Sequence, residues 1–160
     1  MAIDLDVRVL TVEDSPILAR LSQETFREPT DPPWGEELFR ERLRVGREAR
    51  FPFFTGWLAW KETVPVGFIF VQVFESVVDV QKLATHPSFR RQGVARMLME
   101  QCGGTFPQHA VELEVAANNT AAYALYLSLG FQMRGRQRRV YGANTNVLLM
   151  RKEPSSSECC

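Results

Sequence analysis

Three strand-like runs follow one another with almost nothing between them: FFTGWLAW from Phe53, VGFIFVQVF from Val66 and SVVDVQKLAT from Ser76. They are rich in β-branched and aromatic residues, and the connecting KETVP and ES are too short for a crossover that returns a strand in parallel. The middle of the chain is therefore constrained to an antiparallel meander. The third run breaks at THPSFRRQGVAR, after which Val94, Met97, Leu98 and Cys102 recur at helical spacing as far as Gly103 and Gly104, where the helix is expected to end.

The flanks supply the other elements. DVRVLT alternates as a strand, DSP offers Asp14 or Ser15 as a cap with Pro16 in the first turn, and Ile17, Leu18, Leu21, Thr25 and Phe26 keep helical spacing. EPTDPPW stops that helix, and GEELFRERLRVGRE begins another with acids in its first turn, where the helix dipole favours them. Beyond the meander, AVELEVA alternates cleanly, NNTAAYALYLSLG reads as a helix ending at Gly130, and FQMRGRQRRVY with NTNVLLMRK reads as a closing pair of strands. The order is β-α-α-β-β-β-α-β-α-β-β, an α/β chain without internal repeats. Trp57, Trp60, Phe68, Phe70 and Phe74 are expected in core and sheet packing.

Composition narrows the function more than the fold. With 160 residues and 45% hydrophobic, residues 1–153 suffice for one domain with a substantial core, and the polar, aperiodic residues 154–160 read as a disordered tail. Nineteen basic and nineteen acidic residues leave no net charge, which argues against a nucleic-acid partner held by bulk electrostatics. No basic start leads into an apolar run and no segment reaches the roughly 18 apolar residues of a membrane span, so no membrane association and a cytoplasmic location are expected. Cys102, Cys159 and Cys160 lack the spacing of a disulfide framework, and Asn118-Asn119-Thr120 matches a glycosylation sequon by letter only. His86 and His109 stand apart without supporting carboxylate or cysteine spacing, so no metal site is expected.

The break FRRQGVAR, Phe89 to Arg96, admits two readings. An exposed basic turn needs only a glycine and surface arginines. A phosphate cradle needs the same letters for another reason: the first turn of a helix has unpaired N–H groups at the positive end of a dipole, Gly93 and Ala95 let phosphates approach that backbone, and Arg90, Arg91 and Arg96 add positive charge. Neither a Walker A string nor GxGxxG is present.

In its context this segment resembles the signature of the GCN5-related N-acetyltransferase (GNAT) family, Arg/Gln-x-x-Gly-x-Gly/Ala, here Arg90-Arg91-Gln92-Gly93-Val94-Ala95. A second stretch, LEVAANNTAAYALYLSLGF, resembles the companion motif of the same family, in the branch that includes bacterial ribosomal-protein alanine acetyltransferases. Glu114, Asn119, Ala122, Leu125, Tyr126, Gly130 and Phe131 fall on matching positions, whereas Ala116 and Asn118 replace a common arginine and serine. The resemblance implies a mixed, mostly antiparallel sheet of about seven strands flanked by about four helices. It implies acetyl-coenzyme A as cosubstrate, with the pyrophosphate on the amides of about Arg91 to Arg96, the pantetheine arm along the main chain of Leu83, Ala84 and Thr85, and a contact from Asn119. Glu114 and Tyr126 match the family's general base and general acid.

The chemistry asks for such groups in any case. Acetyl transfer from a thioester to an amine needs a neutral amine, a stabilised oxyanion and a proton for the departing thiolate. Glu112 and Glu114 share one face of an alternating strand, and by spacing alone either can accept a proton or simply be solvated. By spacing alone, too, Tyr126 is a core aromatic and Asn119 a helix cap. Cys102, on an apolar stripe, is a poor nucleophile candidate.

The family resemblance places the acceptor near Asp31 and Trp34 of EPTDPPWGEE and near Tyr141 of the last hairpin, with Glu112 able to contribute. The branch points to a protein N-terminal α-amine, although Gly142 stands where a second tyrosine is common. An α-amine is about a tenth neutral at pH 7 and a lysine less than about a thousandth, so a lysine acceptor asks more of the base. A small-molecule amine acceptor and a non-catalytic acetyl-coenzyme A sensor are the alternatives, and monomer and homodimer both stay open.

Overall fold

Short connectors decide the middle of the sheet. The computed structural model describes residues 4–26, 33–45, 50–141 and 143–155, with the backbone alone over 137–141 and 143–145. β2 (Phe53–Lys61), β3 (Val64–Val73) and β4 (Val77–Thr85) form the expected antiparallel meander. β1 (Asp6–Val9) pairs with the outer side of β2, while β5 (Ala110–Ala116), β7 (Ala143–Lys152) and β6 (Gln132–Tyr141) extend the sheet beyond β4 in the order β1-β2-β3-β4-β5-β7-β6. The β4–β5 contact is parallel and brief: Val77, Val78 and Asp79 lie in register with Ala110, Val111 and Glu112, after which the strands part.

Alternation along β3 sends its side chains to two cores. Phe68 and Phe70 join Leu18, Leu21, Phe39 and Leu43 beneath α1 (Ser15–Thr25) and α2 (Glu36–Arg44). Ile69, Val71 and Val73 join Val94, Leu98, Cys102 and Tyr126 beneath α3 (Val94–Thr105) and α4 (Thr120–Ser128). Phe39, Phe68 and Phe70 are fully buried, each contributing about 1.5–3 kcal/mol relative to exposure, so the first two helices are firmly seated. Four helices flanking a seven-stranded, mostly antiparallel sheet is the architecture that the sequence motifs implied.

Three local expectations need correction. α3 runs through Gly103 and Gly104 to Thr105, because helical glycine costs only about 1 kcal/mol, and the stop comes at Phe106, the residue before Pro107. Phe74 is 39% exposed, at the end of β3 beyond the reach of either core. Arg134, Arg136 and Arg138 recur at period two, which in a regular strand would set them on one face, but a register break between Met133 and Gly135 takes Arg134 out of that alternation. By contrast Gly130, with φ of +97°, follows α4 in the left-handed conformation, and Phe131 N–H bonds the Tyr126 carbonyl at 3.0 Å to close the helix as expected.

Candidate active site

Where β4 and β5 part, the sheet has an internal gap with a strand edge on each side. The His86 N–H donates to the Val66 carbonyl at 2.8 Å, which fixes the alternation: Ala84 directs its main chain to β3, while Leu83 and Thr85 direct theirs into the gap. A register shift opposite Phe70 and Val71 leaves Gln81 as an extra residue in β4, bending the strand where the gap begins. The sequence-predicted Leu83, Ala84 and Thr85 therefore stand at the gap, and two of the three have main-chain groups free of the β3 ladder.

β4 runs through a single 3-10 turn (Pro87–Phe89) into the predicted loop. Arg91 (φ +64°) and Gly93 (φ +85°) are both left-handed, which turns successive amides toward one side. Nothing lies within 4 Å of a Cβ built on Gly93, so glycine is needed there for its backbone angle rather than for space. α3 starts with no side-chain cap and no acid in its first turn, leaving the amides of Val94, Ala95 and Arg96 without an intrahelical or capping partner. Val94 is itself 1% exposed, and Gly67 makes room for it: a Cβ at 67 would approach Val94 Cγ1 to 2.9 Å. This contact seats the start of α3 directly on the sheet. Arg90, Arg91 and Gln92 are exposed, while the Arg96 guanidinium donates to Ser128 Oγ at 2.8 Å, linking α3 to α4.

The β5 side of the gap is acidic. Leu113 and Val115 point into the core, so Glu112 and Glu114 share the opposite face, as alternation predicted. Glu112 accepts from Arg151 Nη1 at 2.8 Å and is engaged in an ion pair, whereas Glu114 is exposed. The sequence reading passed over a third carboxylate. Asp79 is in register with Glu112 and its pKa is pushed up to about 6, by burial first and then by the charges of Glu114 and Glu112, with a 2.5 Å hydrogen bond from Gln81 Nε2 opposing the shift. An acid interrupting the apolar VVDVQ was the signal that could have found it.

Tyr126 is 8% exposed and its ring lies 5.8 Å from that of Phe131, so it belongs to the core on the α3–α4 side while Glu114 stands on the opposite face. The gap is where groups from the two faces can meet. Asn119 caps α4, its Oδ1 accepting from the Ala122 N–H at 3.2 Å. Burial pushes the Cys102 thiol up to about 12, leaving no thiolate at neutral pH.

On the α1–α2 side, Trp34 donates its main-chain N–H to Ser22 Oγ at 2.9 Å and packs its ring against Phe39 and Phe70. Two cations flank that ring, Arg42 at 4.5 Å and Lys82 at 5.4 Å, and Lys82 lies also 4.4 Å from Phe26. Lys82, 5% exposed, is a second polar interruption of β4 that the sequence reading missed. Asp31 and the tail beyond Ser155 lie outside the described residues, as does the side chain of Tyr141. A cavity of about 200 Å³ lined by Met99, Phe106, His109 and Leu129 sits at the opposite, closed end of the β4–β5 pair and does not join these groups. Among the described residues no cluster of His, Cys, Asp or Glu is arranged to hold a metal, and no helix is long and apolar enough to cross a membrane.

An uncapped, acid-free helix start beside unpaired strand edges suits a phosphate-bearing, extended cosubstrate such as acetyl-coenzyme A. The family model described as acetyltransferase (GNAT) family matches residues 17–131, well over half of the chain. The [ribosomal protein bS18]-alanine N-acetyltransferase of Salmonella typhimurium is 38% identical over 78 residues, 47% of this chain and 53% of that protein. The N-alpha-acetyltransferase RimI of Mycobacterium tuberculosis is 36% identical over 63 residues, 39% of this chain and 40% of that protein, so the matches span about half or less of these relatives. Among solved structures, the ribosomal-protein-S18-alanine N-acetyltransferase from Escherichia coli superposes with a TM-score of 0.82 at 23% identity, covering 97% of each chain. Arabidopsis thaliana NAA60 in complex with acetyl-CoA gives 0.75 at 17% identity, covering 92% of this chain and 97% of that one. By its motifs, its sheet and the family match, the chain belongs to the acetyltransferase (GNAT) family.

Proposed function

We propose that the protein transfers an acetyl group from acetyl-coenzyme A to a primary amine, a protein N-terminal α-amine foremost, by direct transfer while both substrates are bound. One observation carries the reading: the parting of β4 and β5 above a helix start that has no cap, no acid and a left-handed glycine. Bound there, acetyl-coenzyme A supplies an activated thioester. The amides of Arg91 to Arg96 hold its pyrophosphate, with Arg90, Arg91 and Gln92 around it, and the gap-facing main chain of Leu83 and Thr85 aligns its arm as an added strand would. Asn119, at the head of α4, borders the same groove.

Glu114 takes the proton from the acceptor ammonium, directly or through water. A main-chain N–H on the Leu83 to Thr85 edge donates to the carbonyl oxygen as charge develops. Tyr126 returns a proton to the sulfur. Trp34 and Glu112 border the acceptor.

The α-amine preference rests on the similarity to N-terminal acetyltransferases and on the larger neutral fraction of an α-amine near pH 7. A thiol-release assay with acetyl-coenzyme A tests it against alanine-initiated peptides, internal-lysine peptides and small amines. Turnover at least tenfold faster on α-amine peptides is the expected result. Preference for a polyamine or an amino sugar would overturn the acceptor class, and coenzyme binding without turnover on the whole panel would favour a sensor.

A further inference from the structure

The end of β4 meets both halves of the site. Its main chain faces the gap, its last residue leads into the phosphate loop, and His86 sits at that junction with both ring nitrogens engaged. Nδ1 accepts from the Ser88 N–H at 3.1 Å, capping the turn from which the loop departs, so the ring hydrogen is on Nε2. Nε2 lies 3.3 Å from Glu24 Oε2, in the last turn of α1. The ring also meets Phe89 edge-on at 5.7 Å. One side chain thus spans the turn that opens the loop and the last turn of α1.

Trp34 is tied to α1. Phe26 follows its last turn directly, and the Trp34 N–H is held by Ser22 Oγ at 2.9 Å. Lys82, four residues before His86, also reaches Phe26. A shift of α1 by a fraction of an ångström is therefore passed to Trp34, and His86 is the polar contact, among the described residues, that ties the end of α1 to the loop.

We infer that His86 is a positioning residue: by bracing Glu24 of α1 against the turn that opens the phosphate loop, it couples coenzyme binding to the last turn of α1. This rests on the acetyl-coenzyme A reading given above. When phosphates fix the loop, Ser88 and His86 are fixed with it, and the last turn of α1 loses freedom. Coupling of this kind is reciprocal, so a ligand that steadies the last turn of α1 tightens coenzyme binding by the same factor.

Coenzyme A is the probe, titrated by calorimetry and followed by hydrogen exchange at the amides of Gln23 to Phe26. In the wild type, saturation with coenzyme A is expected to slow exchange there at least fivefold. His86→Asn keeps an acceptor for the Ser88 N–H but is too short to reach Glu24, and Glu24→Ala removes the other end of the brace. Both are expected to bind coenzyme A within about threefold of wild type while losing the slowing, and Glu24→Gln, which retains an acceptor oxygen, is expected to restore it. If coenzyme A binds but leaves those amides unchanged, or if both variants keep the full slowing, the brace is overturned and the acetyltransferase reading stands. If coenzyme A does not bind the wild type at all, that reading falls and the brace falls with it.

Discussion

The two walls of the gap offer their chemistry in different currencies of structure. The β4–α3 wall works through main chain: the gap-facing groups of Leu83 and Thr85, the left-handed turn at Arg91 and Gly93, and the bare amides at the start of α3. The β5–α4 wall presents side chains: Glu112 and Glu114 on the strand, Asn119 on the cap and Tyr126 on the helix. The difference teaches where substitution matters. On the proposed reading the first wall is sensitive to backbone angles and indifferent to most side chains, while the second depends on single oxygen atoms.

The largest effect is expected at the side-chain wall. Glu114→Gln should lower kcat by about 10²–10⁴, the usual worth of a positioned acid or base, with coenzyme affinity unchanged. Steady-state kinetics beside calorimetry checks this, and full turnover would remove Glu114 from the base role. Tyr126→Phe should lower kcat in the same sense.

At the main-chain wall the informative pair is Gly93→Ala and Thr85→Ala. An alanine held at φ of +85° costs about 1–2 kcal/mol, so Gly93→Ala should weaken coenzyme binding about tenfold or lose the loop geometry. Thr85→Ala leaves its main chain in place and should change the dissociation constant less than twofold. Equal losses for both would abolish the contrast between the walls.

Asp79 stands where the two walls meet, and its effect is smaller and depends on pH. Its pKa is raised from 3.8 to about 6, so the folded state holds the proton more tightly than the unfolded chain does. Ionisation then costs stability as pH rises through that window, and the carboxylate is a net burden at pH 7. Asp79→Asn should raise the Tm at pH 7 by a few degrees, with the gain disappearing below about pH 4. An unchanged difference between pH 4 and pH 7 would count against the carboxylate cluster. Smallest of all, Asn119→Ala removes a helix cap and should cost about 1 kcal/mol of stability, read as a modest drop in Tm.

Much of this was legible in the letters. The meander followed from connectors too short for a crossover, the start of α3 from a glycine after a basic turn, and the common face of Glu112 and Glu114 from strict alternation in AVELEVA. Gly130 marked the end of α4 because only a left-handed residue closes a helix in that way. The end of α3 was misread, since two glycines look like a stop while the effective stop is the residue before Pro107.

What the sequence by itself determined is local: element order, strand faces, helix starts and the residue types able to hold a phosphate or move a proton, because each depends on neighbours a few positions away. Tertiary structure alone decided how far β4 and β5 stay paired, that Asp79 joins Glu112 and Glu114, that Arg151 engages Glu112, and that His86 reaches Glu24. Those pairings join residues tens of positions apart, and registers and packing between whole elements set them. A pKa pushed up to about 6 arises in the same way, from burial and like charge that only the assembled sheet brings together.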